Sequence, residues 1–114
     1  MKINTEKIDD IIIIKIEGEI EKEDEIEIRD FFDDLIEIKR AKKIIIDASK
    51  IQYLGSSTLG VFSKLYQKVT KNGGRLTFAS LSHFVKKIFK ITTFDNYFSI
   101  KYNVKDAIDD MKEK

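Results

Sequence analysis

Apolar and polar positions at the start of the chain predict two strands joined by a tight turn. Residues 11–16 are almost all isoleucine, residues 2–7 contain the β-branched Ile3 and Thr5, and Asp9-Asp10 separates the two segments. β-Branched runs bounded by turn residues favour a pleated conformation. We therefore predict that an antiparallel hairpin opens the fold, with the two aspartates in its turn.

Four later segments repeat apolar residues every three or four positions, which is typical of helices that bury one face. We predict these helices at roughly residues 21–40, at roughly residues 56–71, after Ser82 and after Asn103. Ser82 and Asn103 are predicted N-caps, and residues 72–74 (Asn-Gly-Gly) favour the turn that ends the second helix. The apolar faces are, in order, Ile28, Phe31, Phe32, Leu35 and Ile36; Leu59, Phe62, Leu65, Tyr66 and Val69; Phe84, Val85, Ile88 and Phe89; and Val104, Ala107, Ile108 and Met111.

Three short apolar segments between the helices predict strands at residues 41–47, 75–79 and 97–101. The first contains the run Ile44-Ile45-Ile46, which is expected of a central strand covered on both faces. Residues 48–55 are predicted to form a loop. The order β-β-α-β-α-β-α-β-α predicts a single α/β domain over residues 1–114, with about four helices and a mixed, mostly parallel sheet opened by an N-terminal antiparallel strand.

The composition restricts the chemistry open to such a domain. The 114 residues include no cysteine and one histidine, which excludes disulfides, cysteine-ligated zinc and a histidine-rich metal cluster within one chain. We expect neither a metal nor a cofactor. The longest apolar run, Ile11–Ile14, is far too short to cross a bilayer, and no secretory signal is evident. A cytoplasmic protein with no membrane partner is therefore expected.

Charge is balanced overall but unevenly distributed along the chain. Residues 1–40 carry 14 acidic and 7 basic side chains, whereas residues 41–114 carry 6 and 14. A nucleic-acid-binding domain is usually strongly basic, so no nucleic-acid partner is expected. Lys86, Lys87 and Lys90 recur on the third predicted helix, where they can meet an acidic partner or form an ordinary solvated face.

One segment carries the candidate chemistry. Asp47 ends the central predicted strand, and Ser56, Ser57 and Thr58 stand together at the start of the second helix. Functional sites in α/β folds gather at such strand ends. We predict that Ser56 caps the helix and faces solvent. Ser56 is the predicted phosphorylation site, and Ser57 is the second candidate. A phosphate on Ser56 would lie beside the positive helix end, so the domain would tolerate it while a docked partner would not.

A phosphate-binding loop is a competing interpretation of this segment. Gly55 and Gly60 have the spacing of such a loop, but Val61 and Phe62 occupy the positions of its lysine and hydroxyl residue. Weak anion binding by residues 56–58 stays open, because a helix N-terminus attracts anions.

A hydrolase triad is the second competing interpretation. Ser56, His83 and Asp47 are the required residue types, yet no nucleophile elbow surrounds the serine. His83 is better explained as a surface residue at a helix start, and we expect no enzymatic activity.

The order of these motifs resembles the STAS domain of anti-sigma factor antagonists over nearly the whole chain. Asp47 matches the aspartate that ends a strand in that family, and residues 55–60 lie on its serine-pair signature. Residues 72–74 match the following turn, and residues 85–95 resemble the third helix and its exit.

The resemblance implies a partner-switching protein. In that family an anti-sigma factor that is also an ATP-dependent serine kinase phosphorylates the first serine of the pair, which is Ser56 here. The unphosphorylated form binds the anti-sigma factor and frees sigma, and a phosphatase resets the switch. A monomer or weak dimer is expected. The alternative within the resemblance is a non-switching STAS accessory module of a transporter or sensory complex.

The expected binding surface surrounds Ser56. Asp47 and Gly60 are assigned structural roles there, and the partner contacts are assigned to Tyr53, Leu54, Gly55, Ser57 and Thr58. Leu54 can equally fill the core. Gly55 stands where the family usually has Asp, and Thr58 where it usually has Gly, so the helix entry and the charge beside Ser56 are altered.

Overall fold

The opening hairpin forms as the apolar pattern predicts. In the computed structural model, which describes residues 1–113, β1 (Lys2–Ile8) pairs antiparallel with β2 (Ile11–Ile20), and Ile8 lies opposite Ile11. Asp9 adopts a left-handed φ of 55° in the turn, a conformation that Asp tolerates better than most residues.

The other strands are β3 (Lys43–Asp47), β4 (Ile51–Leu54), β5 (Arg75–Ala79) and β6 (Ser99–Lys101). They form a mixed six-stranded sheet in the order β1-β2-β3-β5-β6, with β4 paired to β2, and every pairing except β1–β2 is parallel. The predicted α/β fold with an antiparallel opening strand is therefore confirmed.

Strand β4 corrects the prediction of a loop over residues 48–55. β2 has ten residues, and only Ile11–Lys15 of this strand pair with β3. The later half of β2 therefore keeps a free edge on that side. β4 fills that edge by pairing with Gly18–Ile20. Ile51 and Leu54 anchor it, because both side chains are buried in the core.

Four α-helices pack on the sheet: α1 (Glu25–Asp33), α2 (Ser56–Lys71), α3 (His83–Ile91) and α4 (Val104–Lys112). The single helix predicted over residues 21–40 is less regular, because a 3-10 turn at Lys22–Asp24 precedes α1 and a π-helical turn at Asp34–Ile38 follows it. The cap predictions at α3 and α4 are confirmed, since Ser82 accepts from the Val85 amide at 3.3 Å and Asn103 from the Asp106 amide at 2.8 Å.

The core lies on both faces of the sheet, as the isoleucine run of β3 predicts. Ile44 and Ile46 point into the larger apolar cluster beneath α1, α2 and α3, while Ile45 points into a smaller cluster beneath α4. Alternation along a strand sends successive side chains to opposite faces. The phenylalanines Phe62, Phe78, Phe89 and Phe98 pack edge-on or tilted in the larger cluster, with centroids 4.8–5.4 Å apart.

The turn after α2 uses its two glycines for different reasons. Gly73 adopts a φ of 80°, which favours glycine. Gly74 instead lies against the backbone, because a Cβ there would stand 2.7 Å from the carbonyl oxygen of Lys42.

Candidate functional site

The connection from β3 to β4 is shaped by Asp47 at the carboxyl edge of the sheet. Its carboxylate accepts a 3.0 Å hydrogen bond from the Ser49 amide, which turns the chain immediately after β3. The Ser82 hydroxyl donates to the Ile51 carbonyl at 2.7 Å, so the start of α3 is tied to β4. These bonds fix β4, the strand that leads into α2, against the start of α3.

The N-terminus of α2 differs from the prediction in one respect. Gly55, in an extended conformation, is the N-cap, and Ser56 is the first helical residue, so the prediction that Ser56 caps the helix is wrong. The backbone explains this, because the Gly55 carbonyl accepts the amides of Thr58 at 3.1 Å and Leu59 at 3.3 Å. Ser56 is exposed, and its hydroxyl has no hydrogen-bond partner among residues 1–113.

Glu25 is a site residue that the sequence analysis missed. It is the first residue of α1, and its side chain is buried against the N-terminus of α2, with a relative exposure of 7%. One carboxylate oxygen accepts hydrogen bonds from the Ser57 hydroxyl at 2.5 Å and from the Thr58 hydroxyl at 3.0 Å. A carboxylate at this position also interacts favourably with the positive end of the helix dipole.

The carboxylate of Glu25 bears on the expectation that Gly55, standing where the family usually has Asp, alters the charge beside Ser56. The absence of an acid next to Ser56 in sequence does not leave the helix start without negative charge, because Glu25 brings a carboxylate to it from α1. Sequence spacing offered no signal for this contact, since the two residues Glu25 and Ser57 lie 32 positions apart.

Two predicted partner contacts are inaccessible. Leu54 is 2% exposed and Thr58 is 1% exposed, so neither side chain reaches the surface. Leu54 fills the core, which is the alternative role predicted for it. Thr58 was assigned to the docking surface, and its burial under α1 shows that this assignment is wrong. The remaining predicted contacts, Tyr53, Gly55 and Ser57, are accessible at least in part.

An aromatic pair borders Ser56 on the side of α3. The ring of Tyr53, which is 43% exposed, lies 5.4 Å from the ring of Phe84. A Cβ on Gly55 would stand 3.8 Å from the Tyr53 hydroxyl, so this tyrosine covers the helix entry. His83 is exposed nearby at the first position of α3.

The residues of the hypothetical triad are not assembled for catalysis. Asp47 uses its carboxylate to hold the Ser49 amide, and Ser56 has no hydrogen bond to His83. No general base therefore contacts the Ser56 hydroxyl among the described residues, as a serine nucleophile would require.

A structural role is predicted for Gly60, and the space around this residue is open. The residue is exposed, and a Cβ built there would meet nothing within 4 Å. A glycine inside a helix costs roughly 1 kcal/mol relative to alanine. Packing against neighbouring residues therefore does not require glycine here, and a side chain at this position would face whatever approaches α2 from outside.

A shallow groove of about 450 Å³ runs between α1 and α2 beside the serine pair. Lys68 of α2 lines this groove and forms ion pairs at 2.7 Å with Asp33 and at 2.6 Å with Glu37. Hydrogen bonds to Asp33 and then to Glu37 raise the pKa of the Lys68 ammonium above its ordinary value. Arg29 and Lys64 also line this groove, so it carries both cationic and anionic side chains.

Among residues 1–113, no group of three or more histidine, aspartate or glutamate side chains could hold a metal ion. No helix in this range has the length and apolar character needed to cross a membrane.

A profile of the STAS domain matches residues 2–107 of this chain. The match spans both strands of the opening hairpin, all of the parallel strands, and helices α1 to α3. It therefore includes the whole of the site around Ser56.

Solved structures share this fold. Protein TM1081 from Thermotoga maritima superposes with a TM-score of 0.89 at 20% identity, covering 96% of this chain and 94% of that one. An anti-sigma factor antagonist from Mycobacterium paratuberculosis superposes with a TM-score of 0.85 at 19% identity, covering 97% of this chain and 93% of that one. The phosphorylated form of the Bacillus cell fate determinant SpoIIAA superposes with a TM-score of 0.75 at 18% identity, covering 96% of this chain and 99% of that one. At such identities these likenesses establish the common fold.

Proposed function

The chain belongs to the STAS domain family, and from this premise we propose that it is an anti-sigma factor antagonist switched by phosphorylation of Ser56. In its unphosphorylated form it binds an anti-sigma factor that is also an ATP-dependent serine kinase, and this binding frees the sigma factor. Phosphorylation of Ser56 releases the complex, and a phosphatase restores the binding form. The protein acts in the cytoplasm by binding and is not an enzyme.

The environment of Ser56 carries the proposal. The serine is exposed at the first position of a 16-residue helix, and no group among residues 1–113 bonds to its hydroxyl. A phosphate there would add about −1.5 to −2 charges beside backbone amides that have no partner in the helix. The domain can therefore accept the modification without losing an internal contact.

The surface around Ser56 explains how the same phosphate would prevent binding. We assign the docking surface to Tyr53, Gly55, Ser57 and Gly60, together with Phe84 on α3. Tyr53 offers an exposed aromatic ring, and aromatic residues are enriched at the centres of protein interfaces. The exposed Gly60, one helical turn beyond Ser56, leaves room for the partner's backbone. A phosphate on Ser56 would stand between these two features and place unpaired charge in the interface.

The switch is tested with the serine kinase-type anti-sigma factors of the source organism, purified and incubated with the chain and ATP. We expect one phosphate on Ser56 and loss of the complex. Ser56→Ala should bind without being modified, Ser56→Asp should bind roughly tenfold or more weakly, and Ser49→Ala, which changes an exposed serine outside the surface, should behave like the wild type. Equal binding by the alanine and aspartate variants would contradict the switch and favour a non-switching STAS module.

A further inference from the structure

We infer that Glu25 decides which serine of the pair is phosphorylated, by holding Ser57 in a hydrogen bond and leaving Ser56 as the acceptor. The inference rests on the proposed function, since it concerns the modification of the same site. Glu25 is here a positioning residue: it touches neither ATP nor the reacting atoms of Ser56.

The two serine hydroxyls have different environments although both residues are exposed. The Ser57 hydroxyl donates its proton to Glu25 at 2.5 Å, whereas the Ser56 hydroxyl has no partner among the described residues. Glu25 is held in place, because it is 7% exposed and its carboxylate also accepts from the buried Thr58. The carboxylate cannot move away to release Ser57 without breaking a buried hydrogen bond.

Phosphoryl transfer requires the serine hydroxyl to give up its proton, so the hydrogen bonding of each hydroxyl affects its reactivity. The serine Oγ forms a bond with the γ-phosphorus of ATP, the bond from that phosphorus to the bridging oxygen of ADP breaks, and the hydroxyl proton passes to a base of the kinase. Ser56 can turn its hydroxyl towards such a base. The proton of Ser57 is already engaged in the hydrogen bond to Glu25.

The product of transfer to Ser57 would also be unfavourable. Its phosphate would lie against a carboxylate that is largely excluded from water, and like charges repel strongly when solvent screens them little. The hydrogen bond from Ser57 would be lost as well. Phosphate on Ser56 displaces no such hydrogen bond, because the Ser56 hydroxyl has no partner among residues 1–113.

The test measures where phosphate is placed on the full chain produced in its source organism. Phosphopeptide mass spectrometry quantifies the ratio of modified Ser56 to modified Ser57 in the wild type, Glu25→Gln and Glu25→Asp. We expect at least a roughly tenfold preference for Ser56 in the wild type. The preference should fall severalfold in Glu25→Gln, which keeps the shape of the side chain and removes its charge, and should be restored in part in Glu25→Asp.

A second pair of variants separates site choice from folding. Ser56→Ala should carry roughly a tenth or less of the wild-type phosphate, although Ser57 remains exposed. Adding Glu25→Gln to Ser56→Ala should restore modification, now on Ser57. A structural defect would lower total phosphate and would not transfer it to the neighbouring serine.

The outcomes distinguish this inference from the proposed function. Absence of phosphate from both serines in the wild type would contradict the proposed switch itself. Similar phosphate on both serines, or a ratio that Glu25→Gln leaves unchanged, would overturn the role of Glu25 and leave the switch intact. Loss of Ser57 phosphate in Glu25→Gln would show that the carboxylate activates Ser57, which is the opposite of the inference.

Discussion

The buried hydroxyl of Thr58 donates a 3.0 Å hydrogen bond to the carboxylate of Glu25, 33 positions earlier in the chain. This bond joins the first turn of α2 to the first turn of α1 beneath the surface that presents Ser56. Thr58 is 1% exposed, so water cannot replace the bond if it is lost.

Replacing Thr58 with valine should destabilise the domain by about 1.5–3 kcal/mol, the typical value of a buried hydrogen bond to a charged group. Valine has nearly the same shape, so the change isolates the hydroxyl. Thr58→Ser keeps the hydroxyl and serves as the control, with a smaller loss of roughly 1 kcal/mol for the missing methyl group. Urea unfolding followed by circular dichroism measures both, and a valine variant as stable as the wild type would contradict the prediction.

Replacing Gly60 with alanine should have opposite effects on stability and binding. The new Cβ meets nothing within 4 Å, so the helix should gain roughly 0.5–1 kcal/mol. If the partner backbone approaches this position, its affinity should fall about tenfold. Thr70→Ala, on the exposed far end of α2, is the matched control because it should leave binding unchanged. Calorimetric titration that gave wild-type affinity for Gly60→Ala would remove this residue from the docking surface.

Replacing Gly74 with alanine should destabilise the domain by about 1–3 kcal/mol. The added Cβ would stand 2.7 Å from the Lys42 carbonyl oxygen, so backbone on one side must shift. Gly73→Ala is the comparison: it meets open space, but its φ of 80° costs roughly 1–2 kcal/mol in an L-residue. Chemical unfolding measures both losses of stability, and stability of Gly74→Ala within error of the wild type would refute the close approach.

The ion pairs of Lys68 predict a dependence of stability on alkaline pH. Hydrogen bonds to Asp33 and then to Glu37 raise the pKa of Lys68 above its ordinary value of 10.5 in the folded chain. A raised pKa means that the charged lysine stabilises the fold fully below pH 10.5, and that this contribution is lost as the pH rises through the raised pKa.

The measurement compares unfolding of the wild type and Lys68→Met at neutral and alkaline pH. Since the pairs are partly exposed, we expect the variant to be less stable by only a few tenths to about 1 kcal/mol near neutrality, and the difference to shrink above pH 10.5. Lys64→Met, one turn earlier, is the control, because Lys64 forms no ion pair within residues 1–113. A difference that stays constant with pH would show that Lys68 acts through packing.

Local patterns were sufficient for most of the secondary structure. The bounds of α2 and β5 agree with the prediction, because apolar spacing and the glycines after α2 act within a few residues of one another. Strand β4 was missed, since its short segment shows no alternation and forms only because the edge of β2 is free. The first helix was predicted as regular, and nothing in its apolar spacing distinguished the π-helical turn at its end.

The same division holds at the site. Local patterns along the chain indicated that hydroxyl residues open α2 after a buried strand, and the order of the motifs indicated the family. Which of those hydroxyls is unbonded depends on tertiary packing, because Ser57 and Thr58 bond to a carboxylate from another helix whereas Ser56 has no hydrogen-bond partner among residues 1–113. Periodicity records which side of a helix is buried, but a contact between residues 32 or 33 positions apart depends on how two helices pack against the sheet.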